Sequence, residues 1–206
     1  MDLPIVLTAF ALIFPIELPD KTFVATLVLA TRYKALPVWV GVSSAFLVQT
    51  VVACTLGGLI GRLPRTPVEI FAALMFLAGG LILLRGAAKA DAREAETEAE
   101  FAAKAREGVT GLRAVGASFL VLFVAEWGDL SQLLTAGLVV RNPDDALSVG
   151  VGAFAALAVV SALGAVLGRQ LLKWIRLSTI TRVGGGLCLL LALVSLLQVF
   201  GVSPSI

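Results

Sequence analysis

Residues 17–22 read Glu-Leu-Pro-Asp-Lys-Thr, and residues 126–131 read Glu-Trp-Gly-Asp-Leu-Ser. Each hexapeptide sits inside a long apolar run, and each carries two carboxylates three residues apart, a spacing that puts both on one face of a helix. The copies are 109 residues apart, and the same offset pairs Thr26 with Thr135 and Arg32 with Arg141. After a small gap, Leu-Gly-Gly-Leu-Ile-Gly-Arg at 56–62 aligns with Leu-Gly-Ala-Val-Leu-Gly-Arg at 163–169. The chain is therefore a duplication built around two acidic motifs.

Working outward, the 206 residues are 59% hydrophobic and only 15% charged, with a mean hydropathy of +0.99. Soluble domains carry about 25% charged residues. The apolar residues come in blocks of about 20, the length of a bilayer-crossing helix. Six spans are expected, at 4–31, 37–61, 66–84, 112–140, 146–167 and 180–200. The fold class is then an all-α polytopic membrane protein: a first three-helix repeat (1–86), a charged linker (87–111) and a second three-helix repeat (112–206). Three is odd, so the halves cross in opposite senses, an inverted-topology repeat of the kind secondary transporters use. Gly57-Gly58, Gly79-Gly80 and Gly184-Gly185-Gly186 read as small surfaces for helix packing. The linker is rich in Ala, Glu, Lys and Arg from Lys89 to Glu107. It reads as a solvated helix or mobile segment with no face to bury.

Basic residues set the orientation. Twelve of the 16 Lys and Arg fall in the loops after spans one, three and five, three fall on the opposite side, and Lys21 lies within a span. The positive-inside rule puts the twelve, and with them the central linker, in the cytoplasm, with both termini outside. The opening Met1-Asp2-Leu3-Pro4 lacks a positive n-region, so the first run is expected to remain as a helix. A prokaryotic plasma membrane is the expected location.

Composition also excludes. A net charge of +2 gives no basic surface for nucleic acid. His is absent, which removes the commonest general base and the commonest transition-metal ligand. Cys54 and Cys188 lie singly in apolar runs and read as packing residues. No Ser–His, His–Glu or metalloprotease constellation exists, so an intramembrane hydrolase is disfavoured and no enzyme or cofactor is expected.

What remains is the acids. Glu17 and Glu126 fall near the middle of their spans, with Asp20 and Asp129 one turn on. A charge at the centre of a membrane helix costs roughly 2.5–3.5 kcal/mol on insertion scales. Four such groups persist only if a cation, protons or a wet cavity offsets them. Lys21 can neutralise one and locks helices in the structural alternative, but it cannot neutralise four. Pro15 and Pro19 free two carbonyls beside Glu17, and broken helices use such carbonyls as ion ligands. Gly128 allows close approach but frees no carbonyl by itself. Thr22 and Ser131 fall off the acidic face of an ideal helix, where a kink such as that at Pro19 can bring them back; with Gln132, Gln49 and Lys21 they are the candidates for additional ligands or proton coupling. Carboxylate, amide, hydroxyl and carbonyl oxygens suit Mn²⁺, Ca²⁺ or Mg²⁺ and not Cu⁺ or Zn²⁺.

A duplicated Glu-x-Gly-Asp-[Lys/Arg]-[Ser/Thr] signature in two halves of three spans resembles the GDT-type manganese/calcium transporter family, and more distantly the cation/Ca²⁺ exchangers. Glu126-Trp127-Gly128-Asp129 matches the core, with Leu130 at the basic position. Glu17-Leu18-Pro19-Asp20-Lys21-Thr22 matches apart from Pro19 in place of Gly. The resemblance implies export of Mn²⁺ or Ca²⁺ from the cytoplasm in exchange for H⁺. The residues themselves make Glu17, Asp20, Glu126 and Asp129 the expected metal ligands, and the inverted repeat makes alternating access the expected mechanism. Two other functions fit a duplicated six-span protein: an exporter of small organic solutes, which needs a cationic or aromatic pocket, and a non-transporting scaffold, which predicts no stabilisation by metal.

Overall fold

The computed structural model describes residues 1–18, 20–60, 65–87, 90–105 and 109–174, with positions 182, 186, 189, 190, 192, 193, 196 and 197. The expected sixth span, Pro19, Gly184, Gly185 and Cys188 lie wholly or largely outside that set, as does the side chain of Lys21. Among the described residues all regular structure is helical. The order is α1 (Leu3–Glu17), α2 (Lys21–Arg32), α3 (Ala35–Ile60), α4 (Arg65–Ala87), α5 (Ala90–Lys104), α6 (Leu112–Ala125), α7 (Leu130–Arg141) and α8 (Ala146–Trp174). A single 3₁₀ turn, Pro143–Asp145, leads into α8, as the Asn-Pro-Asp-Asp turn chemistry predicts.

Two helices, α3 and the stretch Pro143–Leu167, are each long and apolar enough to cross a membrane. The count rises to four if each bent pair is one span. The expected third span is covered by α4. The expected first and fourth spans are not straight helices. Each is broken at its acidic motif, α1 to α2 by 71° and α6 to α7 by 73°. The second break falls at Gly128, which the sequence marks as a point of close approach that frees no carbonyl by itself. Gly128 takes φ +78°, in the left-handed region that glycine enters without penalty, and α6 stops at Ala125.

The two breaks share two pairs of hydrogen bonds. The Asp20 amide donates to the Glu17 carbonyl at 3.1 Å and the Asp129 amide to that of Glu126 at 3.4 Å. Thr26 Oγ1 donates to the Thr22 carbonyl at 2.8 Å and Thr135 Oγ1 to that of Ser131 at 2.7 Å. Every one of these pairs sits at the 109-residue offset of the motifs.

Packing is reciprocal as well. The long helix α3 lies on α6 and α7, α8 lies on α1 and α2, and α3 and α8 lie as closely on each other. Close approach at two glycines allows it. Gly41 meets the Val115 carbonyl and Ser118, and Gly152 meets the Val6 carbonyl and Ala9. Val6 and Ala9 are the 109-offset counterparts of Val115 and Ser118, so the same seam is built twice. α3 and α8 also touch each other, with Ser43 Oγ 3.5 Å from Ser161 Oγ and the Trp39 indole N–H donating to the Ala158 carbonyl at 2.9 Å. Trp39 is thereby a helix-to-helix contact, beyond the interfacial anchor its sequence position suggests.

The linker departs from expectation. It forms α5, and α5 does bury a face: Phe101 and Ala105 are buried within the main core, and the helix packs on α2. One aromatic in an otherwise charged run supplies the anchor. Lys104 covers it from the solvent side, its Nζ 5.1 Å from the Phe101 ring centroid and 2.6 Å from Glu100 Oε1.

Candidate metal centre

The two breaks meet. Glu17, Asp20, Glu126 and Asp129 each offer a carboxylate oxygen, and these four oxygens lie within 4.8 Å of one another. Glu17 is 1% exposed and Glu126 2%; Asp20 and Asp129 are half-buried. The reason is local. Each glutamate is the last residue of one helical piece or the one just after it, and each aspartate precedes the first turn of the next. The 71° and 73° bends therefore turn all four carboxyls inward to one place.

The size of the cluster suits a metal ion. Oxygens on opposite sides of a metal ion are separated by twice the bond length, which is about 4.6–5.2 Å for Ca²⁺ and about 4.0–4.2 Å for Mg²⁺. Four oxygens within 4.8 Å of one another are close enough for one such cation to contact them all. Neither carboxylate oxygen of Glu17 has a hydrogen-bond partner among the described residues. A buried carboxylate without hydrogen bonds is costly unless a cation or proton satisfies it.

The other sequence candidates divide. Thr22 is fully buried beside Glu17, and its hydroxyl has no hydrogen-bond partner among the described residues. The helix break, not helical periodicity, brings it there. Ser131, its counterpart, is buried at the start of α7. Gln132 and Gln49 do something the sequence did not disclose. Gln132 Nε2 donates to the Glu126 carbonyl at 2.8 Å while its Oε1 accepts from the Gly128 amide at 3.2 Å. Gln49 Nε2 donates to the Phe123 carbonyl at 3.1 Å. Both amides are engaged with backbone around the second break.

Carboxylates gathered inside a helical membrane protein, at the junction of two repeated broken helices, define an ion-translocating class. The comparisons narrow the class to a family. The chain matches the family described as divalent cation/proton antiporter GDT1 over residues 5–91 and 114–202, and it belongs to that family. It is 33% identical over 201 residues to GDT1-like protein sll0615 of Synechocystis sp., covering 92% of this chain and 97% of that one. It is 29% identical over 193 residues to GDT1-like protein 3 of Arabidopsis thaliana, covering 86% of this chain and 65% of the relative. To GDT1-like protein 1, chloroplastic, of Oryza sativa subsp. japonica it is 31% identical over 212 residues, covering 93% of this chain and 61% of the relative. The chain thus spans about two thirds of the plant relatives and nearly all of the cyanobacterial one. No solved structure matches it. The family is one of transporters and not of enzymes, and a divalent cation and H⁺ are its substrates.

Proposed function

We propose that this chain is a secondary active transporter that exports Mn²⁺ or Ca²⁺ from the cytoplasm in exchange for H⁺, by alternating access around the four-carboxylate cluster. The convergence of four carboxylate oxygens within 4.8 Å, two from each repeat, carries the reading. Glu17, Asp20, Glu126 and Asp129 are the ligands, with the Thr22 hydroxyl beside Glu17 and Ser131 its counterpart in the second repeat. The halves are inverted repeats, which the crossed packing of α3 and α8 supports. Six crossings, both termini outside and the linker in the cytoplasm of a prokaryotic cell follow from the spans and their basic loops.

Charge gives the coupling. Two unit negative charges 4.8 Å apart repel by about 3–4 kcal/mol at an effective dielectric of 20. A cluster that has released its dication must therefore take up protons or admit water. Taking protons from the far side and returning them to the near side exchanges H⁺ for metal. The small-solute and scaffold alternatives have no comparable support in the geometry.

The test is transport in proteoliposomes loaded with a pH-reporting dye. Vesicles with an acidic interior should take up Mn²⁺ or Ca²⁺ faster than vesicles without a gradient, and their interior should turn alkaline as metal enters. Glu17→Gln and Glu126→Gln should each abolish both signals. Metal flux that persists in both variants, or that follows Na⁺ and leaves the interior pH unmoved, contradicts the proposal.

A further inference from the structure

The second break is held differently from the first. When α6 ends at Ala125, the carbonyls of its last turn lose their helical donors. The Leu122 carbonyl is the last to keep its own, the Glu126 amide at 2.9 Å. The Phe123 carbonyl would be bonded by residue 127 in a continuous helix; here it is bonded by Gln49, a 3% exposed residue reaching across from α3. The Glu126 carbonyl and the Gly128 amide are bridged by the two ends of the Gln132 side chain. One group needs a donor and the other an acceptor, so the orientation of that amide is fixed. The residue at the matching offset in the first repeat is Phe23, buried in α2, which has no amide to offer.

We infer that Gln49 and Gln132 are positioning residues for cation binding: they hold the backbone on both sides of Glu126, and so fix where its carboxylate and that of Asp129 point. Gln132 closes the loop from Glu126 to Gly128, where the left-handed glycine turns the chain through the 73° bend. Gln49 ties the end of α6 to a helix of the other repeat, so that the second motif is registered against the first half and not only against its own. Neither amide needs to touch the ion for this. Groups that orient the ligands of a metal typically change its affinity strongly when removed.

This inference rests on the four-carboxylate cluster being the transport site, and the experiment separates the two. Gln132→Met and Gln49→Met keep the side-chain length and remove the amide. Each is reconstituted and Mn²⁺ uptake is measured against concentration, beside wild type and Glu126→Gln. The half-saturating Mn²⁺ concentration should rise roughly 10- to 100-fold in both methionine variants, with the maximal rate held within about threefold. Their metal-free melting in detergent should stay close to wild type. A purely structural role would lower the maximal rate and the melting point together and leave half-saturation unmoved. Half-saturation within about twofold of wild type, or failure of both variants to fold, overturns the inference while abolished uptake in Glu126→Gln leaves the site standing. Intact uptake in Glu126→Gln overturns the site itself.

Discussion

Replacing Gly128 by Ala isolates the one backbone feature that breaks the second helix. Gly128 has φ +78°, and a Cβ built there meets nothing within 4 Å. Side-chain crowding therefore contributes nothing, and the whole cost is the left-handed backbone, about 1–2 kcal/mol for an L-residue. Gly116 on α6 supplies the control: a Cβ there also meets nothing within 4 Å, and no positive φ is involved. Alanine at 116 should stabilise by about 0.8–1 kcal/mol through helix propensity. The two substitutions have opposite signs and differ by about 2–3 kcal/mol. At about 2–4 °C per kcal/mol for a chain of this size, Gly128→Ala should melt about 2–8 °C below wild type and Gly116→Ala slightly above it. Function should suffer more than stability. Alanine relieves its strain by continuing α6 in the right-handed sense, which straightens the 73° bend and swings Asp129 out of the cluster. Melting followed by the surviving monodisperse fraction in detergent, with Mn²⁺ uptake on the same preparations, reads both effects. A Gly128→Ala protein that melts at or above wild type with unchanged uptake would refute the reasoning.

Two other outcomes follow from the packing. Phe101→Ala removes the anchor of α5, and trypsin should then cut more quickly after Arg93 and Lys104 while the α1–α3 region stays protected; equal cleavage rates would mean that the ring does not hold the linker. Gly152→Val and Gly41→Val each push a side chain into a carbonyl of the opposing helix and should each destabilise by about 1–3 kcal/mol or more. Because the seams are counterparts, the two losses should be similar, and both should exceed that of Gly58→Val, where the space is open.

The gathering of the four carboxylates was legible because its signal is redundant. Charged groups in apolar runs are conspicuous, and two copies at one offset declare that they belong together. The 109-residue spacing pairs Thr26 with Thr135, and the structure gives the two the same hydrogen bond, to the Thr22 and Ser131 carbonyls. The breaks were harder. Prolines at 15 and 19 warned of the first, but α1 runs through Pro15 and ends at Glu17. At the second, a single glycine inside an apolar run reads equally as packing or as a turn, and only its φ decides. Gln132 and Gln49 show a different limit. Composition tells that an amide can ligate a metal, but not whether its nitrogen is instead spent on a carbonyl that a broken helix has exposed. Phe101 shows a third. One aromatic among alternating charges has no periodicity, so the buried face of α5 becomes visible only when α2 is found beneath it.

The number of Mn²⁺ ions bound per chain, measured by equilibrium dialysis of the detergent-purified protein, bears most directly on whether the two motifs form one site. A shared site binds one ion per chain, and either Glu17→Gln or Glu126→Gln alone removes it. Two ions per chain, or one ion retained at full affinity after either substitution, would mean that the motifs act separately and that their meeting in the fold is not what binds the cation.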